Sequence, residues 1–426
     1  MNDLTNWLEN HLLQLNLVNE MDYENGFSRL SYTPEEEQAH EAFRTIAKNL
    51  GLHIYADGAG NQWATWKVDE HAPTVAVGSH LDTVHGGGGY DGVAGVLTGL
   101  GAIKLLQDLQ VEPKKNIAVI CFASEESARY GVSTIGSKAI SGILDKHDLE
   151  HVTDADGVTI RESIEAFGLS WETIDQAEKS PDDLESFLEL HIEQGTQIED
   201  NDAEIGIVRG VACPIRLQVN VKGMANHTGT TPMNKRSDAF VAIAPLIPFV
   251  EEQANSMNKK QELPIVATVS TVHLQPNAMN VIPGEVQLGI DIRSVNDLSK
   301  RELTNRIEAY CQQIERERNV TISIETLVDN DSVFLDQTIQ SKLSHVTNDL
   351  QLNSIIMDSG AGHDVMNMAQ RWRSGLLFIP CREGISHHPK EYASIEDLHK
   401  GTHVIAEYLR IETGDDHENE DWRNRA

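Results

Sequence analysis

Between residues 74 and 123 the chain passes from an apolar stretch through a glycine-rich turn and a helical pattern into a second apolar stretch, an order that few folds accept. The runs TVAVGS (74–79) and IAVICFA (117–123) are short and rich in branched residues, as strands buried on both faces of a parallel sheet are. Between them Val93, Val96, Leu97, Leu100, Ile103 and Leu106 recur at helical spacing, behind the glycines at 86–89. Parallel neighbours need a crossover, and a helix of this length supplies one, so the segment predicts a βαβ unit. In such sheets reactive groups gather beyond the carboxyl ends of the strands.

A chain of 426 residues exceeds what one hydrophobic core usually serves, and its texture changes twice. From about Ile215, RLQVNVKG, PIVATVSTVHL and GEVQLGIDIR place apolar residues at every second position, the pattern of half-exposed antiparallel strands. Helical patterns at about 237–257 and 298–318 accompany them. After about Thr326 helix and short-strand texture returns, with GLLFIP as another buried strand. The predicted class is α/β. A catalytic domain with a mostly parallel sheet flanked by helices, residues 1–212 and 328–412, is interrupted at 213–327 by an α+β module of ferredoxin-like type, expected to act in lid closure and dimerisation. The first 25 residues read as a helix and 413–426 as a charged tail.

Set against 34 basic residues, 66 acidic ones give a formal charge of −32, a field that repels nucleic-acid phosphates and anionic membrane surfaces. Neither is an expected partner, and no run approaches the ~20 apolar residues of a membrane helix. The opening Met1–Leu17 carries Asp3 and Glu9 where a secretory leader has a basic start and an apolar run, so a cytoplasmic location is expected. Cys121, Cys213, Cys311 and Cys381 form no C-x-x-C pair and are expected as free thiols.

Four segments carry imidazoles and carboxylates near strand ends. Gly78-Ser-His80-Leu-Asp82 follows the first apolar run and leads through the glycines to Asp91, while Ser124-Glu125-Glu126 follows the second. A lone strand-end histidine is more often a satisfied core residue, and a bare Glu-Glu pair more often solvated surface. Their arrival at one sheet edge reverses both readings, since a metal could bind one carboxylate and leave the other as general base. In FLELHIE alternation puts Glu189, His191 and Glu193 on one face, and His387-His388 follows GLLFIP. Imidazole and carboxylate without thiolate suit Zn²⁺, Mn²⁺, Co²⁺ or Ni²⁺.

The motifs GSHLDTV, GGGYDGVAGV, EE, ELHIEQG, HTGTTPM, NVIPG, DIR, SGAGHD and GISHHP occur together and in order. On them the chain, over roughly residues 5–410, resembles the dinuclear metallopeptidase and aminoacylase superfamily. Within it the chain looks like the amidase, hydantoin-utilising and carbamoylase branch, which contains N-carbamoyl-L-amino-acid hydrolases and allantoate amidohydrolases. The resemblance implies two divalent metals, zinc or manganese, with cobalt or nickel as alternatives. It implies that His80 and His191 hold one, Glu126 and His387 the other, and that Asp91 bridges them. Glu125 becomes the general base, and Asp82 accepts the second ring N–H of His80. From the inserted module, His227 is implied to reach across a homodimer interface and polarise the scissile carbonyl, while Asn280 and Arg293 grip the substrate carboxylate. Gln194, Gly360 and His363 are expected to line the pocket. His388 and His85 depart from the usual pattern and their roles stay open. Cys213 and Pro214 depart from it too, at a linker that bears on substrate choice.

The expected reaction is hydrolysis of a linear amide or ureido C–N bond in a small carboxylate-bearing substrate, an N-carbamoyl-L-amino acid or allantoate. An N-acyl-amino-acid deacylase or dipeptidase is the nearest alternative, because pocket walls alone separate these substrates. A catalytically silent metal- or ligand-binding protein is the alternative from another class. The presence of Glu125 and of all five implied ligands weighs against it.

Overall fold

The structure, a computed structural model, describes residues 2–21 and 24–414; of the charged tail expected at 413–426, residues 415–426 lie outside the described residues. Two compact units divide the chain. One comprises residues up to 209, 335–357 and from 363 onward, and the other comprises 210–334 with 358–362.

In the first unit four strands lie side by side and run parallel, in the order Asn116–Phe122, Thr74–His80, Ser186–Ile192, Arg373–Ile379. Antiparallel strands flank them: Gln62–Trp66 and then His53–Ala56 on one side, Ile205–Val211 on the other. The sheet is therefore parallel at its centre and mixed at its edges. Helix Val93–Asp108 joins the parallel neighbours Thr74–His80 and Asn116–Phe122, as the sequence predicts. It is buried at 13 of its 16 positions, because the sheet covers one side and helices Asn2–Asn16 and Ile395–Glu412 cover the other. Each fully buried Leu, Ile or Val contributes about 1.5–3 kcal/mol, so this helix is a rigid base for the glycine turn at its start.

The first helix is shorter than expected. It stops at Asn16, Leu17 takes a left-handed φ of 59°, and the Asn16 amide donates to the carbonyls of Leu12 (3.0 Å) and Gly89 (2.9 Å). The end of the helix is thereby tied to the glycine run.

The second unit has a four-stranded antiparallel sheet in the order Thr321–Asp329, Pro214–Lys222, Glu285–Arg293, Val266–Gln275. With helices Leu246–Asn258 and Asp297–Arg318 the chain order is βαββαβ, the split βαβ arrangement of ferredoxin-like folds. Alternation does what the sequence requires: Val286, Leu288, Ile290 and Ile292 are buried with Val250, Leu303 and Ile307 of the helices. The helical pattern expected at 237–257 is two helices, Ala239–Ile243 and Leu246–Asn258. Pro245, which has no N–H to donate, separates them. This unit also takes in residues 358–362, which the sequence pattern assigns to the larger domain.

All four cysteines are buried, and among the described residues no disulfide joins them. Among the described residues no helix is long and apolar enough to cross a membrane.

Candidate active site

The sheet brings four segments to one edge because its central strands are parallel. His80 closes strand Thr74–His80 and His191 is next to last in Ser186–Ile192. Glu125 and Glu126 lie shortly beyond Phe122, and His387 lies beyond Ile379.

Asp91 stands at the centre. Its Oδ1 is 2.9 Å from His191 Nε2 and 3.5 Å from His80 Nε2, and its Oδ2 is 3.1 Å from His387 Nε2. His387 Nε2 is in turn 3.3 Å from Glu126 Oε1. Two groups, His80–Asp91–His191 and Asp91–Glu126–His387, thus share one carboxylate, with the candidate ligand atoms of each within 4.8 Å of one another.

The imidazoles are aimed by their other nitrogens. His80 Nδ1 is 3.0 Å from the Asp82 carbonyl oxygen, and His191 Nδ1 is 2.9 Å from that of Ile192. Each carbonyl can only accept, so Nδ1 carries a proton and Nε2 is the ring nitrogen turned to Asp91. The Asp82 carboxylate, implied as the partner of the His80 ring nitrogen, lies 3.4 Å from it, farther than the same residue's carbonyl. It also accepts from the backbone N–H of Glu125 (3.1 Å) and Glu126 (2.9 Å) and from the Ser31 hydroxyl (3.2 Å). Asp82 therefore sets the paired glutamates, a role its spacing from His80 did not reveal.

Gly92 sits against the His80 ring. Its backbone (φ 66°, ψ −47°) lies outside the regions open to L-residues, and a Cβ there would fall 2.5 Å from His80 Cε1. Three other residues in the cluster take left-handed φ values: Ser124 (55°), Gln194 (57°) and His387 (56°). Such conformations persist only where the surroundings over-determine them, and they collect at functional sites.

Glu125 Oε2 is 3.9 Å from His80 Nε2. Burial pushes its carboxyl well above the usual range; the negative charges of Glu126 and Asp364 add to this while His80 opposes it. Burial also works to raise Asp91, but His191, His387 and His80 outweigh it and hold that carboxyl well below the usual range. Gln194 Nε2 donates to Asp91 Oδ2 at 2.8 Å, so this side chain stands within the ligand cluster.

The FLELHIE strand contributes less than its alternation suggests. Glu189 is turned to the Ser79 hydroxyl (3.0 Å) and the Val365 N–H (2.8 Å). Glu193, just past the strand end, accepts from the N–H groups of Gln197 (2.6 Å) and Ile198 (2.9 Å) and so holds the next short helix. Only His191 of the three joins the cluster. His363 is buried, its ring 4.5 Å from that of His191 and 5.4 Å from that of Phe378, behind the imidazole rather than on open surface. His85 and His388 are exposed, and His388 Nδ1 accepts the Lys390 N–H at 3.1 Å within its own turn.

His227, Asn280, Arg293 and Gly360 belong to the second unit. His227 pairs with Val281 in a two-stranded ladder and the Asn280 carbonyl accepts from Thr228 N–H, so His227 and Asn280 are neighbours, both exposed. His227 Nδ1 accepts the Gly229 N–H at 3.0 Å, which leaves the proton of the neutral ring on Nε2. Arg293 donates through Nε to Asp291 Oδ1 (2.8 Å) and through Nη1 to the Gly360 carbonyl (2.7 Å), and Arg216 Nε donates to Asp291 Oδ2 (2.9 Å). The Asp291–Arg216 contact follows from cross-strand register, which the sequence alone does not fix.

The donor set suits metal ions. Asp82, Asp91, Glu125, Glu126, Glu189, Asp364 and Glu391 are all buried within this region, against the imidazoles of His80, His191 and His387. Burying so many carboxylates is unfavourable unless positive charge compensates, and divalent cations at the two shared groups would supply it.

The model of peptidase family M20/M25/M40 matches residues 54–411. The chain belongs to that family. Two relatives in it are an N-carbamoyl-L-amino-acid amidohydrolase of Paenarthrobacter aurescens, 35% identical with 90% of this chain and 93% of that one aligned, and an allantoate amidohydrolase of Escherichia coli, 33% identical with 89% and 92% aligned. The crystal structure of an amidase of the hydantoinase/carbamoylase family from Burkholderia multivorans superposes with a TM-score of 0.86 at 26% identity, covering 96% of this chain and 98% of that one. With these relatives, this M20/M25/M40 member is a hydrolase of non-peptide amide bonds.

Proposed function

We propose that this chain hydrolyses the ureido C–N bond of an N-carbamoyl-L-amino acid or of allantoate at a centre of two divalent metals. The sharing of Asp91 by two imidazole-bearing groups, with Glu125 beside them, carries this reading. His80 and His191 would hold one ion, Glu126 and His387 the other, and Asp91 both. Bound there, zinc or manganese, or cobalt or nickel, would acidify water and stabilise negative charge on the scissile carbonyl oxygen.

The chain's own groups do the rest. Glu125, whose carboxyl burial raises above its usual range, takes the proton of the attacking water and returns it to the leaving nitrogen. Asp82 positions Glu125 by its backbone. His227, whose neutral ring keeps its proton on Nε2, would donate to the carbonyl oxygen from across the homodimer interface. Asn280 and Arg293 recognise the substrate carboxylate, helped by Gln194 and the loop carrying Gly360. Guanidinium suits this task, and the Asp291 and Gly360 bonds pre-orient its plane. A homodimer in the cytoplasm, with the second unit serving as lid and dimerisation surface, completes the reading.

The relatives favour ureido substrates over N-acyl amino acids or dipeptides. The test is product release by protein reconstituted with Mn²⁺, Co²⁺, Ni²⁺ or Zn²⁺ against N-carbamoyl amino acids, allantoate, N-acetyl amino acids and dipeptides, with Glu125→Ala as control. Turnover of a ureido substrate that vanishes in the control is expected. Turnover confined to acyl or peptidyl substrates would move the chain to deacylase or dipeptidase chemistry.

A further inference from the structure

A buried carboxylate outside the ligand set joins the two loops that carry Asp91 and His387. Glu391 Oε1 accepts from the backbone N–H of Tyr90 (3.0 Å) and Asp91 (2.9 Å). Its Oε2 accepts from the His387 N–H (3.2 Å) and lies 2.9 Å from the Ser386 hydroxyl, which is also 3.1 Å from Asp91 Oδ2. One side chain thus spans segments about three hundred residues apart in sequence.

The glycine run is shaped around this group. A Cβ on Gly88 would fall 2.3 Å from both Cβ and Oε1 of Glu391, so only glycine lets the backbone pass this close to the carboxylate. The geometry of the run and the position of Glu391 therefore specify each other.

His387 depends on this clamp more than the other imidazoles depend on theirs. His80 and His191 are buried on central strands, each with its Nδ1 against a backbone carbonyl. His387 lies in a loop, its side chain half-exposed, with a left-handed φ of 56° and its backbone N–H on Glu391.

We propose that Glu391 is a positioning residue that holds His387 in register with Asp91, and that its loss empties the Asp91–Glu126–His387 metal position while leaving the His80–Asp91–His191 position filled. The inference rests on the two-metal reading above. Glutamine at 391 keeps the size of the side chain but turns one end from acceptor into donor, so it cannot serve both loops. Outer-sphere partners of this kind typically change metal affinity by about 10–100-fold when replaced.

The experiment is equilibrium dialysis of the full chain with Mn²⁺, reading bound metal per chain for wild type, Glu391→Gln, Glu391→Ala and His387→Ala. Glu412→Gln, a buried carboxylate paired with Lys342 and Arg373, controls for general destabilisation. We expect two equivalents in wild type and in the control. In Glu391→Gln the second equivalent should bind at least tenfold more weakly and the first unchanged, reproducing the profile of His387→Ala. Glu391→Gln with both affinities at wild-type values would overturn the inference and leave the two-metal reading intact, as would equal weakening of both. A wild-type chain binding fewer than two equivalents would instead overturn the two-metal reading itself, before any substitution is considered. Glu391→Gln decides the matter even where Glu391→Ala fails to fold.

Discussion

Replacing Gly92 by alanine should damage the site through one identifiable collision. The new Cβ would sit 2.5–2.6 Å from Cε1, Cγ and Nδ1 of His80, whereas ordinary contact begins at 3.4 Å, so ring or turn must give by about 0.9 Å. Gly92 starts the buried helix Val93–Asp108, and His80 ends a central strand with its Nδ1 on the Asp82 carbonyl, so neither yields freely. Misplacing a catalytic group by about 1 Å commonly lowers the rate by about 10²-fold, which is the loss expected in kcat. The backbone contributes separately, because forcing an L-residue into φ 66°, ψ −47° costs about 1–3 kcal/mol of stability. Gly131→Ala is the comparison: Gly131 also has a positive φ, 70°, but a Cβ there meets nothing within 4 Å. The assay is steady-state hydrolysis of the ureido substrate alongside urea unfolding of both variants. Gly131→Ala should lose stability and keep its kcat. A Gly92→Ala enzyme within about threefold of wild-type kcat would refute the argument that this glycine exists to admit the His80 ring.

Two further outcomes follow from side chains with different duties. Glu125→Gln should lower kcat by about 10²–10⁴-fold. Its bound metal should stay at the wild-type level by elemental analysis, and a lost equivalent would make Glu125 a ligand rather than the base. His40 is buried with neither ring nitrogen hydrogen-bonded, and burial, with Arg44 adding, pushes its pKa down to about 3. The unfolded chain protonates this ring at about 6.5, so stability present above that pH is lost as pH falls towards 3, by up to about 1.4 kcal/mol per unit. His40→Leu removes that dependence and should lose ~2 kcal/mol less than wild type between pH 7 and 5 in urea unfolding. Equal losses would contradict the assignment.

The sequence was most legible where period and chemistry coincide. The βαβ segment showed in its apolar runs, and the parallel strands it implied are what bring His80, Glu125, Glu126 and His191 to one edge. Alternation in the second unit was equally plain, since Val286, Leu288, Ile290 and Ile292 face helices. What escaped was hydrogen bonding between residues distant in sequence. Glu391 was not singled out, because its partners Tyr90 and Asp91 lie some three hundred residues earlier. The resemblance implied Asp82 as the partner of the His80 ring, but not that its carboxylate also reaches the glutamate loop that follows the adjacent strand. Alternation grouped Glu189 and Glu193 with His191, yet local N–H donors claim Glu193 and the Ser79 hydroxyl claims Glu189. Spacing shows which residues share a face; the donors that meet them there depend on the folded neighbours.

The central claim is that two metals sharing Asp91 hydrolyse a ureido carboxylate. Its most direct test is to strip the protein with chelator and titrate Mn²⁺ back while following ammonia release from an N-carbamoyl-L-amino acid or allantoate. Activity that is absent without metal and rises to a plateau at two equivalents per chain is the predicted result. A plateau at one equivalent, or turnover that survives complete removal of metal, would contradict it.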